Sequence, residues 1–154
     1  MVIHGSDKSF AAGAEIAEVG ALTGVAALDF SRSAQLYFER LSRSPKPIVA
    51  AIQGYCLGGG LDLALACHYR IATPDAALGH PGATLGLLTG WGGTQRLPRL
   101  LGRARAFELL LLGQPINAER ALQVGLVDQI VPRPTFLERA LTRAKSLSLE
   151  RARA

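Results

Sequence analysis

The stretch PIVAAIQGYCLGGGLDLALAC, residues 47–67, sets an uninterrupted apolar run against three consecutive glycines, then a second apolar run holding one acid, Asp62. A short continuous run closed by Gly54 is the pattern of a strand buried on both faces. Beyond the glycines, Leu61, Leu65 and His68 recur at i, i+4 and i+7, which predicts a helix from about Gly60 to Tyr69. Gly58, Gly59 and Gly60 then stand at the amino end of that helix.

A glycine-rich turn from strand to helix often cradles phosphate, because backbone N–H groups point out of the helix start. The residues here do not fit that use. A P-loop needs Lys and Ser or Thr after its last glycine, where this chain has Leu61 and Asp62, and a dinucleotide fingerprint needs spaced glycines. Asp62 in the first turn also repels a phosphate. No G-x-S-x-G occurs, which removes the serine-hydrolase elbow. Two readings stay open on these residues: an oxyanion site, in which bare N–H groups bind a carbonyl oxygen gaining charge, and simple close packing of strand on helix.

The flanking sequence has the same alternating character. MVIHG reads as a strand and SFAAGAEI as a loop around Gly13. Phe30, Ala34, Tyr37, Phe38 and Leu41 recur at helical spacing until Pro45 and Pro47, so a helix is expected from about Phe30 to Leu41. YRIAT reads as a strand. The segment Gly79–Gly93 is glycine-rich and reads as loop, with a long helix expected beyond Pro98. Asn117 and Gly125 bracket a helix as N-cap and C-terminal cap, LVDQIV reads as a strand, and PTFLERALTRAKSLS as a last helix. Strands alternating with helices place the chain in the α/β class.

The 154 residues suffice for one domain with a core, and 49% hydrophobic against 19% charged content reads as globular. The net charge of +5 permits a nucleic-acid partner. The distribution argues against it: neither the cluster Arg96, Arg99, Arg103 and Arg105 nor the cluster Arg139, Arg143, Lys145, Arg151 and Arg153 is interleaved with aromatics. No apolar stretch is long enough for a bilayer span, and no signal-peptide pattern opens the chain. Cys56 and Cys67 lie in apolar surroundings and read as reduced, buried thiols of a cytoplasmic protein. His4, His68 and His80 show no metal-ligand spacing.

Four motifs, SFAAGAEI (9–16), PKPIVAAIQGYCLGGGLDLALAC (45–67), GATLGLLTGWGGTQRLPRLLG (82–102) and GQPINAERALQVGLVDQIV (113–131), occur in one order. In that order and spacing the chain resembles the crotonase superfamily, the enoyl-CoA hydratase/isomerase family. The match runs over residues 1–132, and residues 133–154 fit more loosely as a carboxy-terminal helix. The resemblance implies a single crotonase-like domain of repeated ββα units over residues 1–154, incomplete at both ends relative to the family. It further implies a coenzyme A thioester as substrate with no other cofactor, and assembly into trimers or hexamers.

Carried over residue by residue, the resemblance implies that Ala14 and Gly59 supply the two N–H groups of an oxyanion hole for the thioester enolate. It implies that Ala12, Ala14 and Ile16 line the adenine and pantetheine channel. Hydratases of the family place one glutamate beside the glycine triplet and another in the next loop. The first matches Asp62, an acid one methylene shorter, and the second matches Gly82, which has no side chain. The position of an acid in the family's naphthoate synthases matches Thr89, and that of its dehalogenases and dienoyl isomerases matches Gly90. Trp91 reads as packing, His68 as a packing residue of the helix interior, and His80 either as solvent-facing or structural, or as a substitute proton shuttle near the pocket.

The implied reaction is hydration of a 2-enoyl-CoA by a lyase- or isomerase-type enzyme. The alternatives are an acyl-CoA-binding remnant or subunit without the second glutamate, and, on charge alone, a nucleic-acid binder.

Overall fold

β3 (Val49–Ile52) is flanked by Ile48, and all five side chains are fully buried. Alternation divides them between two cores. Ile48, Ala50 and Ile52 join Leu61, Leu65, Leu78 and Leu97 in one cluster, while Val49 and Ala51 join Ile71, Val131, Phe136, Ala140 and Ala144 in the other. The expectation of a strand buried on both faces therefore holds. Each fully buried Ile or Leu here contributes roughly 1.5–3 kcal/mol.

In this computed structural model, which describes residues 1–152, the chain coils between two four-stranded sheets. The first sheet holds β1 (Val2–His4), β3, β5 (Tyr69–Ala72) and β8 (Gln129–Ile130), in that order and all parallel. The second holds β2 (Ser9–Ala11), β4 (Tyr55–Leu57), β6 (Ala77–Gly79) and β7 (Ile116–Asn117), parallel except for the β6–β7 pair. From β1 to β6 successive strands alternate between the sheets, and each pair stacks on the pair before it: Val49 lies opposite Val2 and Tyr69, Cys56 opposite Ala11 and Leu78. β7 then stays in the second sheet and β8 returns to the first. This is the repeated ββα arrangement the resemblance implied, in an α/β fold. β4 and β6 are three residues each, too short to carry a periodicity, and the sequence reading passed over both.

Seven α-helices accompany these sheets among the described residues, of which α3, α6 and α7 lie against strands. α1 (Ile16–Gly20) follows the Gly13 loop, and α2 (Gly24–Ser42) starts six residues before the expected Phe30 because Thr23 accepts the Ala26 N–H at its start. α3 (Gly59–Ala66) leaves the glycine triplet and ends before His68. His68 is therefore not part of the helix. It sits in the turn into β5, where its Nδ1 accepts the Ile48 N–H at 3.0 Å, a satisfied packing role by a different route from the one expected.

The single long helix expected beyond Pro98 is two: α4 (Gly93–Leu101), with Pro98 inside it, and α5 (Arg103–Leu112). Gly102 breaks them at φ +81°, a conformation side chains resist. Pro98 costs α4 one backbone bond, offset by burial of Leu97 and Leu101 on one face. α6 (Ala118–Val124) is capped as expected, with Asn117 Oδ1 accepting the Arg120 N–H at 2.9 Å and Gly125 ending it. α7 (Phe136–Ala152) lays Phe136, Ala140 and Ala144 on the first sheet. Arg153, counted in the carboxy-terminal basic cluster, lies outside the described residues. Among the described residues no helix is long and apolar enough to cross a membrane.

Candidate active site

The glycine triplet starts α3 in a conformation that only its composition permits. Gly58, the N-cap, has φ +53° and ψ −123°, and its N–H is bonded to Gly79 O at 2.9 Å, continuing the β4–β6 pairing. Its carbonyl accepts from Leu61 N at 2.9 Å and Asp62 N at 3.1 Å. Gly59 and Gly60 occupy the positions between, whose N–H groups have no acceptor within a helix.

The Gly13 loop crosses this turn at backbone contact. A Cβ on Gly13 would stand 3.2 Å from Gly59 N and 3.3 Å from Leu57 O, and one on Gly60 would overlap Ala11. The two segments named as halves of an oxyanion hole are thus neighbours, with Ala14 and Gly59 both half-buried. Ala12 and Ile16 lie on the outer side of this loop and are exposed, Ile16 at the start of α1.

Trp91 closes one side of Gly59. A Cβ on Gly59 would overlap the indole ring, and the indole is held by Phe30 at a centroid distance of 5.3 Å and by Phe38, edge-on, at 5.8 Å. Gln35 Nε2 donates to Gly90 O at 2.6 Å, tying the loop to α2. Trp91 therefore packs, as read from the sequence, and packs against Gly59. From Phe30 an open groove of about 560 Å³ continues along α2, lined by Leu22, Ala26, Ala34 and Tyr37 with Asp29 and Ser33.

Asp62, in the first turn of α3, is 1% exposed. The Thr89 hydroxyl donates to Oδ2. Oδ1 faces His80 Nε2 at 3.3 Å. His80 is buried as well, which sets aside the solvent-facing reading of that residue. Thr89 and Gly93 are the members the sequence reading missed as neighbours of Asp62. The resemblance matches Thr89 to an acid position of the family's naphthoate synthases, and Gly93 belongs only to the glycine-rich segment. Neither signal places them against Asp62, which is 27 residues from Thr89.

Gly82 begins no carboxylate of its own: it lies in the 3₁₀ turn Pro81–Leu85, half-buried, and its carbonyl accepts the Leu87 N–H at 2.8 Å. Both cysteines are free and buried. Burial, and to a smaller extent the charges of Cys67 and Asp62, push the Cys56 thiol far up, and burial pushes Cys67 up to about 12 against a lowering by Arg70. Neither is a thiolate nucleophile at neutral pH.

The enoyl-CoA hydratase/isomerase family model matches residues 1–153. A probable enoyl-CoA hydratase of Bacillus subtilis (strain 168) is 51% identical over 129 residues, 82% of this chain and 50% of that protein. The crystal structure of an enoyl-CoA hydratase from Bacillus anthracis superposes with a TM-score of 0.89 at 38% identity, covering 96% of this chain and 57% of that one. An enoyl-CoA hydratase from Thermoplasma volcanium GSS1 gives 0.89 at 34% identity over 98% and 63%. The chain thus spans half to two thirds of the length of these relatives. With coiled ββα units, a glycine triplet opening α3 and a matching sequence along nearly its whole length, the chain belongs to the enoyl-CoA hydratase/isomerase family, with its crotonase-like fold.

Proposed function

We propose that the protein binds an acyl-CoA thioester and hydrates a 2-enoyl-CoA. The observation that carries this reading is the placement of the buried Asp62 carboxylate three residues along the same helix from Gly59, whose N–H has no intrahelical acceptor. In the reaction the thioester oxygen gains charge as an enolate forms, and the N–H groups of Ala14 and Gly59 receive it. One such donor is typically worth a hundredfold or more in rate.

Asp62 is the acid/base. It takes a proton from water as the water oxygen bonds to the β-carbon and the α,β double bond opens to the enolate. The protonated Asp62 then returns that proton to the α-carbon as the enolate collapses. Ala12 and Ile16 contact the coenzyme A part, and the apolar groove beginning at Phe30 receives the acyl end. The coenzyme A thioester is the substrate, and no further cofactor or metal takes part. Self-association into a trimer or hexamer belongs to the same reading, supported by the exposed Phe107, Leu111 and Leu112 on α5, and neither nucleic acid nor membrane is a partner.

A second reading, acyl-CoA binding without turnover, is favoured by one observation: Gly82 carries no side chain at the position to which the family resemblance assigns a second glutamate. Loss of the conjugated enoyl-thioester absorbance with crotonyl-CoA separates the two. Turnover that falls at least about a hundredfold in Asp62→Asn, with binding of a saturated acyl-CoA retained, supports the first. Binding without any turnover selects the second, and no binding at all ends both.

A further inference from the structure

Asp62 and His80 come from different coils of the chain, at 1% and 4% exposure. One carboxylate oxygen of Asp62, Oδ2, accepts the Thr89 hydroxyl. The other, Oδ1, has no aligned hydrogen-bond partner among the described residues, and neither has the His80 Nε2 that faces it at 3.3 Å. A buried polar atom left unpaired costs about 1–3 kcal/mol. Two such atoms facing each other, one an acceptor and one able to donate, complete each other after a small rotation of ring or carboxylate. The meeting point is kept open by Gly93: a Cβ there would overlap Asp62 Oδ1 and stand 2.9 Å from His80 Nε2.

We propose that His80 is a positioning residue for Asp62, its Nε2–H holding Oδ1 while Thr89 holds Oδ2. The inference rests on the reading of Asp62 as acid/base and deepens it. A carboxylate has about four lone-pair sites, so a clasp that uses one on each oxygen leaves the others for water and substrate. With no carboxylate at Gly82, Asp62 alone handles the water proton, and a fixed carboxylate plane replaces the orientation that a second acid would share. His80 acts through Asp62 and touches no reacting atom.

His80→Leu removes the donor, whereas His80→Gln keeps a donating nitrogen on a side chain of similar reach. With crotonyl-CoA, His80→Leu is expected to lower kcat about 10- to 100-fold with KM within about threefold, and His80→Gln to restore most of kcat. In the wild-type protein, nitrogen-15 NMR is expected to show Nε2 protonated, with a resonance that shifts in Asp62→Asn. That reading does not depend on the folding of His80→Leu. Wild-type kcat in His80→Leu, a glutamine variant as slow as the leucine one, or an unprotonated Nε2 overturns the inference while leaving the hydratase reading in place. Absence of turnover in the wild-type protein overturns the hydratase reading and this role with it.

Discussion

The Cα of Gly93 lies so close to the Asp62 carboxylate that a methyl group at position 93 would overlap Oδ1 and stand 2.7 Å from Thr89 Cγ2. Gly93 opens α4 and Asp62 lies in α3, so this contact sets how closely the two helices approach at the candidate site. Gly93→Ala is therefore expected to force Asp62 and Thr89 apart, destabilising the fold by about 1–3 kcal/mol, as overpacking does. Urea denaturation of the variant checks this. An unchanged midpoint would show that the site yields without strain.

Gly82→Glu places a carboxylate at the position to which the family resemblance assigns a second glutamate. A Cβ there meets Leu87 O at 3.2 Å and Leu87 Cβ at 3.4 Å, so Leu87 must give by a few tenths of an ångström. The expected outcome is folded protein whose crotonyl-CoA hydration rises, by up to about a hundredfold. Binding of acyl-CoA with no gain in turnover would count against Gly82 facing the reacting atoms.

Away from the site, Arg70 is a buried cation on β5. Its guanidinium reaches Asp128 Oδ2 at 3.0 Å, Leu126 O at 2.9 Å and Cys67 O at 3.1 Å. Asp128 Oδ2 also accepts the Arg70 N–H at 2.7 Å. Removing the carboxylate leaves the buried charge with carbonyl partners only, and Asp128→Ala is expected to cost about 3 kcal/mol. Arg70→Met, which removes the charge and keeps the bulk, is expected to cost less. Thermal or urea unfolding of the two variants orders them, and the reverse order would contradict the account.

Asp75 and Arg133 pair on the surface, with contacts of 2.9 and 3.3 Å, while Arg133 also donates to Asp7 O at 2.9 Å. The Arg133 guanidinium holds the Asp75 carboxyl down at about 2, against 3.8 for the free side chain. The lowered folded value means that the ionised carboxylate favours the folded state. Its stabilisation is complete above about pH 4–5 and is lost as pH falls through about 2. Both side chains are nearly half exposed, so the pair adds only a small, salt-screened stabilisation. Asp75→Asn is expected to lose that stabilisation at pH 7 and nothing near pH 2. Denaturation at the two pH values, repeated in high salt, tests it.

The elements legible in the sequence are those whose signal lies within a few residues. Ile48–Ile52 announces a strand buried on both faces because every position is apolar, and Asn117 and Gly125 mark α6 because capping is a local bond between neighbours. The family motifs located Asp62, Gly59 and the Gly13 loop at their places along the chain. Pro98 misled, since a proline's local cost was set against burial of Leu97 and Leu101 that only the packed structure reveals. His68 misled for the opposite reason: its helical spacing from Leu61 was coincidental, and its partner, the Ile48 N–H, is 20 residues away.

The sequence by itself determined the class of the fold, the strand that joins its two cores and the glycine turn from which Asp62 projects, because buried apolar runs and bare backbone are properties of adjacent residues. Only the tertiary structure decided which groups surround that carboxylate. His80 follows β6, Thr89 lies in the loop before α4, and Gly93 opens that helix. The stacking of one coil on the next carries all three to a residue of the preceding helix, and the long-range packing that does so leaves no periodic trace in the intervening sequence.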